Sequence, residues 1–409
     1  MNILVVSQYF WPENFRINDL VSEFVRRGHK VTILTGVPNY PSGYIFPEYK
    51  NAPSNFTEFS GAAIIRVPLI TRGRGGAVRL LMNYISFVVS AIFYGGWRLR
   101  RKKYDRIFVY EPSPVTVCLP AIFFKKIKRA PIVFWVLDLW PETLMAVGVV
   151  KSRILIRLIG LLVSYIYNNC ELILAQSHAF IDNISIYCNN PKKIKYFPSW
   201  AEDSFSESGI QSATNVPTSL SEEMFTIMFA GNIGEAQDFP SILRAAEILK
   251  SNKNIRWLIV GDGRLADWVK NECHSRGLEQ NIIMLGRHSL DKMPSFYSQA
   301  DVLLVSLKDE NIFSMTIPGK VQSYLASAKP ILGMLNGEGA KIINVSGAGY
   351  TCNAGDSDAL ACIVEKMISL SKVKRDEMGR LGKKYYQAEF EKKVLIDRLD
   401  IWLNEVEYL

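Results

Sequence analysis

Apolar residues in the first 200 positions gather into short β-branched runs separated by stretches of helical period. The runs at 2–7, 30–35, 63–67, 105–110, 132–137 and 172–175 are apolar on successive residues, as strands buried on both faces of a parallel sheet are. Helical segments are predicted between them at 19–27, 77–103, 116–126, 152–168 and 180–188, the first closed by Gly28 in the Arg27-Gly28-His29 turn. The pattern breaks at residues 201–223, where Ser and Thr replace large apolar residues and a linker is predicted. It restarts with strands at 225–230, 256–260, 282–285, 301–306, 330–334 and 349–352, and helices at 240–250, 265–276, 293–298, 318–326 and 359–370. The last 25 residues, 385–409, have helical spacing but come too late to belong to the second sheet. The predicted architecture is α/β: two doubly wound parallel sheets, 1–200 and 224–384, facing a cleft, with ligands beyond the carboxyl ends of the strands.

The 409 residues are 48% hydrophobic and 21% charged, the balance of a globular protein with material for two or three domains. Six cysteines stand apart with no C-x-x-C pair, and the chain opens directly into a strand-like run, so reduced thiols in a cytosol are expected. The net charge of +9 is uneven. Residues 1–200 hold 25 Lys and Arg against 11 Asp and Glu, giving +14, while the rest carries −5. That asymmetry points the first half at an anionic partner. The basic residues flank an uncharged run: Arg72, Arg74 and Arg79 before residues 80–97, then Arg98, Arg100, Arg101, Lys102 and Lys103. A helix at 77–103 lying in a membrane interface fits this better than a full span, which Asn83, Ser86, Ser90 and Gly95-Gly96 weaken; a buried core helix is the alternative. Nucleic acid fits less well, because the aromatics sit among aliphatics and are not interleaved with the basic residues.

Candidate chemistry clusters at strand ends. In I317-PGKVQSYLASAKPIL-332, Pro318 and Gly319 open a helix and Lys320 follows, so an ammonium, free amides and the helix dipole converge on one point suited to a diphosphate. Gly231, Asn232 and Gln237 follow the first strand of the second domain; the glycine allows close approach and the two amides offer hydrogen bonds to phosphate oxygens. Gly261-Asp262-Gly263 opens a loose G-x-G-x-x-A, with Arg287 ending the next strand. This supports a rival NADP-dependent oxidoreductase, against which stand its place in the second strand unit and the absence of a Y-x-x-x-K pair. In the first domain, Glu13, Asn14 and Arg16 leave the first strand, and Asp138 and Glu142 leave the fifth beside Trp140. Two carboxylates there suit acid–base or orienting work and the indole suits stacking on a ring. The one D-x-D, at 356–358, reads as a helix cap, and the four histidines lack zinc spacing, so no metal and no cofactor are expected.

These residues resemble the GT-B-fold nucleotide-sugar glycosyltransferases of the retaining group 1 class, family 4. The carriers are the opening ILVVSQYFWPE, RRGHKVTILTG, the GNIG turn, VGDGR, the entry Tyr297–Asp301 and PGK-VQSYLASAKPI, in family order along the whole length. QYFWPENFRINDL and DLWPE are similar to a subgroup of O-antigen and capsule synthesis that includes WbuB-type N-acetyl-L-fucosamine transferases. The resemblance implies a nucleotide sugar, UDP foremost, on the second domain and an undecaprenyl-diphosphate-linked saccharide on the first. It also implies transfer without a metal and with retained configuration, a final helix crossing back onto the first domain, and a peripheral site on the inner face of the cytoplasmic membrane. The sequence departs from the family where an Arg and a Lys grip the diphosphate, here Asn232 and Gln237. It departs again where two glutamates stand eight apart, here Met315 and Ser323, the latter counted with the donor site. Lys320 and the helix amides are the expected replacements, with Arg16 a further candidate. A transferase of another nucleotide sugar, and a membrane scaffold without catalysis, are the remaining alternatives.

Overall fold

The computed structural model describes residues 1–146, 148–202 and 224–408, so nearly all of the predicted linker lies outside the described residues. The chain divides into two compact units, Met1–Phe197 with Ile396–Leu409, and Pro198–Leu395.

The first unit is built on an eight-stranded sheet: β1 (Asn2–Val6), β2 (Lys30–Gly36), β3 (Glu58–Phe59), β4 (Ala62–Val67), β5 (Arg106–Glu111), β6 (Ile132–Val136), β7 (Leu172–Ala175) and β8 (Ile194–Tyr196). Their spatial order is β3-β4-β2-β1-β5-β6-β7-β8, parallel throughout except for the β3–β4 hairpin. The central strands are buried on both sides, and β6 is buried at every residue, which is why they read as unbroken apolar runs. Neither β3 nor β8 was expected: two and three residues at the sheet edges carry too little pattern to read. Ser60 and Gly61, at φ of 50° and 85°, make the tight turn between β3 and β4.

The helix at 77–103 ends earlier than its charges suggest. It runs Ala77–Leu99, with one wide turn over Ala91–Gly95. Gly95 has a packing reason: a Cβ there would lie 2.9 Å from a methyl of Leu34, so the glycine lets the helix seat on β2. Asn83 is fully buried, accepting a hydrogen bond from Gln8 at 2.7 Å and donating to the Ile70 carbonyl at 2.6 Å.

The second unit holds a six-stranded, wholly parallel sheet of β9 (Phe225–Ala230), β10 (Ile255–Val260), β11 (Ile282–Gly286), β12 (Val302–Ser306), β13 (Ile331–Met334) and β14 (Gly349–Cys352), in the order β11-β10-β9-β12-β13-β14. Helix Lys372–Glu389 runs through the boundary expected at 385, and the chain joins the first unit at Ile396, inside helix Lys392–Glu405. There Arg27 pairs with Asp397 at 2.7 Å and Asp400 at 2.6 Å, and Arg106 donates to the Leu403 carbonyl at 2.6 Å.

Candidate active site

In the second unit the loops after β9 and β10 interlock. The Gly231 amide donates to the Val260 carbonyl at 2.8 Å and the Ile233 amide to that of Asp262 at 2.9 Å. Gly261 and Gly263 adopt φ of 150° and 159°, and a Cβ on either would sit 1.9 Å from the Gly231 oxygen or 2.3 Å from the Ile233 oxygen. Contact between the two loops therefore accounts for these glycines, and the dinucleotide-binding alternative loses its physical motive. The loops wall a cavity of about 490 Å³, together with Arg287 and with His288, Leu290 and Met293, three residues that sequence patterning did not single out.

Lys320 stands beside this cavity. A Cβ on Gly231 would lie 2.6 Å from its Cε, and its ammonium rests 3.6 Å from the centre of the Phe229 ring. Among the described residues it has no carboxylate or carbonyl partner. The residue as a whole is half-buried, yet its ammonium is shielded, and loss of water lowers its pKa to about 7. Pro318 is extended at the N-cap and not in the first turn, so helix Gly319–Ala326 begins at Gly319, whose amide and that of Lys320 have no intrahelical acceptor. An unpaired cation and free amides beside a glycine-lined cavity are an arrangement suited to an anion.

Other donor-side candidates have structural duties. The Gln237 side-chain oxygen, Oε1, accepts the Gly234 amide at 3.2 Å and shapes the turn after β9; the Asn232 side-chain amide donates to the same oxygen at 3.4 Å and lines the cavity. Ser323 is buried on the helix, its hydroxyl 2.9 Å from Glu202 and 3.1 Å from the Gly319 carbonyl, so it is engaged within the fold and does not line the cavity. Asp262 and Arg287 are exposed; Asp262 accepts the Gly263 amide at 2.7 Å, and Arg287 has no ion pair among the described residues.

The first-unit candidates separate. Glu13 is buried, accepting the amides of Phe10 at 3.0 Å, Asn39 at 2.8 Å and Tyr40 at 2.7 Å. It fastens two loops and does not face a ligand, and burial raises its pKa to about 7. Arg16 pairs with Asp19 at 3.0 Å, which occupies the guanidinium expected to reach a diphosphate; Asn14 is exposed. Trp140 is buried, its indole N–H donating to Asp138 at 3.1 Å, so it orients the carboxylate and offers no open stacking face. Asp138 also accepts from Thr143, and burial raises its pKa. Glu142 accepts the Tyr187 hydroxyl at 3.1 Å. Unforeseen was Glu111, 0% exposed, whose carboxylate accepts the Asp138 amide at 3.2 Å from below; burial first, and the Asp138 charge next, raise its pKa well above the usual range. A charged residue ending the apolar run of β5 was its one visible signal.

Residues 224–369 match the family profile of glycosyl transferases group 1. The chain is 28% identical over 337 residues to the probable glycosyltransferase WbjE of Pseudomonas aeruginosa, spanning 80% of this chain and 81% of that one. It is 25% identical over 338 residues to the putative colanic acid biosynthesis glycosyl transferase WcaI of Escherichia coli, with the same shares. Similar solved structures include Anabaena HepE in complex with UDP and glucose, with a TM-score of 0.68, 14% identity and 99% of both chains covered. WaaG, a glycosyltransferase involved in lipopolysaccharide biosynthesis, matches with a TM-score of 0.64 and 12% identity over 98% of this chain and 99% of that one. The fold is GT-B, two Rossmann-like parallel-sheet domains, and the enzyme class is glycosyltransferase.

Proposed function

We propose that the chain is a retaining, metal-independent glycosyltransferase. It moves a sugar from a nucleotide donor, UDP-N-acetyl-L-fucosamine foremost, to a saccharide on undecaprenyl diphosphate during surface-polysaccharide synthesis. The observation that carries this reading is the unpaired Lys320 ammonium at the start of its helix, beside the glycine-lined cavity. When the bond from the sugar's anomeric carbon to the diphosphate breaks, negative charge grows on the leaving phosphate, and an ammonium and two amides already in place stabilise it without reorganising. The acceptor oxygen then bonds to the anomeric carbon on the face the diphosphate left, its proton passes to the departing phosphate oxygen, and Asp138, held by Trp140, Thr143 and the buried Glu111, orients that hydroxyl. The HepE structure with UDP supports a uridine nucleotide, and the relatives' colanic acid and lipopolysaccharide roles support a polysaccharide product.

A peripheral seat on the inner face of the cytoplasmic membrane belongs to the same reading. Two helices of the first unit turn apolar side chains outward. Along Ala77–Leu99 these include Leu81, Ile85, Val89 and Phe93, the last 74% exposed; along Arg153–Asn168 they include Leu158, Leu161 and Ile154, which is 76% exposed. Neither helix carries an acidic residue.

The test is transfer of radiolabelled sugar from UDP-, GDP-, dTDP- and CMP-sugars to a polyprenyl-diphosphate saccharide. Labelled lipid from a UDP-sugar, unchanged by EDTA, is expected. No product from any donor that binds would leave the inactive scaffold standing.

A further inference from the structure

Arg72 lies in the segment after β4, at the carboxyl edge of the first unit's sheet. Its guanidinium is 5.3 Å from the ring centre of Tyr40 and 5.9 Å from that of Tyr9. Those rings pack 5.5 Å apart, and Phe15 closes the group at 5.5 Å from Tyr9 and 5.2 Å from Tyr40. The aromatic floor comes from the loops that leave β1 and β2, where an open parallel sheet receives its ligands.

Among the described residues Arg72 has no carboxylate or carbonyl partner for its side chain. Four other arginines of the unit do: Arg16 and Arg27 are ion-paired, Arg66 donates to the Gly36 carbonyl at 2.9 Å, and Arg79 to that of Thr71 at 2.9 Å. A half-buried guanidinium resting on two rings has given up water on its faces and keeps a planar fork of donors free, which suits the oxygens of a phosphate. Tyr84, on helix Ala77–Leu99, lies within the field of the Arg72 charge, and its ring packs 6.2 Å from that of Trp140, whose indole N–H donates to Asp138. Tyr84 and Trp140 thus connect the surroundings of Arg72 to Asp138. The outward-facing apolar helix begins five residues beyond Arg72.

We propose that Arg72, seated on Tyr9 and Tyr40, binds the diphosphate of a lipid-linked acceptor. The site rests on the acceptor reading above and adds the residue that grips the anionic link between lipid and sugar. The diphosphate lies between an apolar face suited to the lipid and the Asp138 carboxylate suited to the saccharide.

The experiment measures binding of farnesyl diphosphate, farnesyl monophosphate and farnesol to the full chain by titration calorimetry, for wild type, R72Q and R72K. Wild type should bind the diphosphate most tightly. R72Q should weaken that binding about tenfold or more, the scale of a charge-assisted contact, leave farnesol unchanged and keep its thermal midpoint. R72K, with the charge but not the fork, should fall between. Equal farnesyl diphosphate affinity in wild type and R72Q overturns the proposal. Loss of binding to vesicles of equal parts phosphatidylglycerol and phosphatidylcholine, with farnesyl diphosphate binding intact, also overturns it, since the guanidinium would then serve a phospholipid headgroup. Arg72-dependent binding without transfer from any donor keeps the site and rejects the acceptor reading; transfer at an unchanged acceptor KM in R72Q does the reverse.

Discussion

Lys320 combines two properties that oppose each other in the free protein: a cation held where water is scarce, and no counter-charge among the described residues. K320M, close in shape but uncharged, should cut kcat on the order of 10²-fold, the usual loss for one preorganised donor. The same change should raise the thermal midpoint, because it removes an uncompensated charge. The pH dependence follows from the sign of the shift. With the folded value near 7 and the unfolded value at 10.5, the unfolded chain binds more protons between those limits, so wild-type stability should rise with pH across that window and K320M should lose that rise. Donor affinity should move the other way, weakening as pH climbs above about 7 and the ammonium is lost; a flat calorimetric profile would remove Lys320 from the binding site. Its position after Pro318-Gly319 was legible from residue order. Its isolation was not, since that depends on Gly231 and Phe229, some ninety residues earlier in the chain. Glu13 and Trp140 misled for a related reason. Their types suit a ligand, and only the fold shows Glu13 spent on three backbone amides and Trp140 on Asp138.

At the scale of elements, the long parallel strands were readable because burial on both faces leaves a continuous apolar signature. The edge strands β3 and β8 were not, being shorter than any period. Gly95 counted in the sequence against a full membrane span, and in the fold it is what lets the helix lie against Leu34. Helix Arg153–Asn168 was legible as a helix, but its outward apolar stripe emerges only once Val163, Ile166 and Tyr167 are seen to face inward. Replacing Leu81, Ile85 and Phe93 by Glu, or Ile154, Leu158 and Leu161 by Glu, should each lower co-sedimentation with anionic vesicles about tenfold or more, given about 1.5–3 kcal/mol for each buried apolar side chain. Calorimetric donor affinity should not change. Vesicle binding at the wild-type level in both triple variants would refute the membrane seat.

Across the whole molecule the charge is divided: residues 1–200 carry +14 and the remainder −5. In the proposed reading the lipid-facing role falls to the basic part, while in the second unit the donor's charge is met locally by Lys320 and the amides of Gly319 and Lys320. Two doubly wound sheets were legible from the restart of strand–helix alternation, whereas the final crossing was misplaced because helix Lys372–Glu389 runs through the expected boundary without a break. The central claim is that Lys320 and its helix amides offset a diphosphate that an Arg and a Lys grip in the family this chain resembles. A crystal structure with a non-transferable UDP-sugar tests it most directly. A diphosphate oxygen should lie within about 3 Å of the Lys320 ammonium and face the Gly319 amide. Phosphates lodged away from that corner, or bridged by a divalent ion, would contradict it.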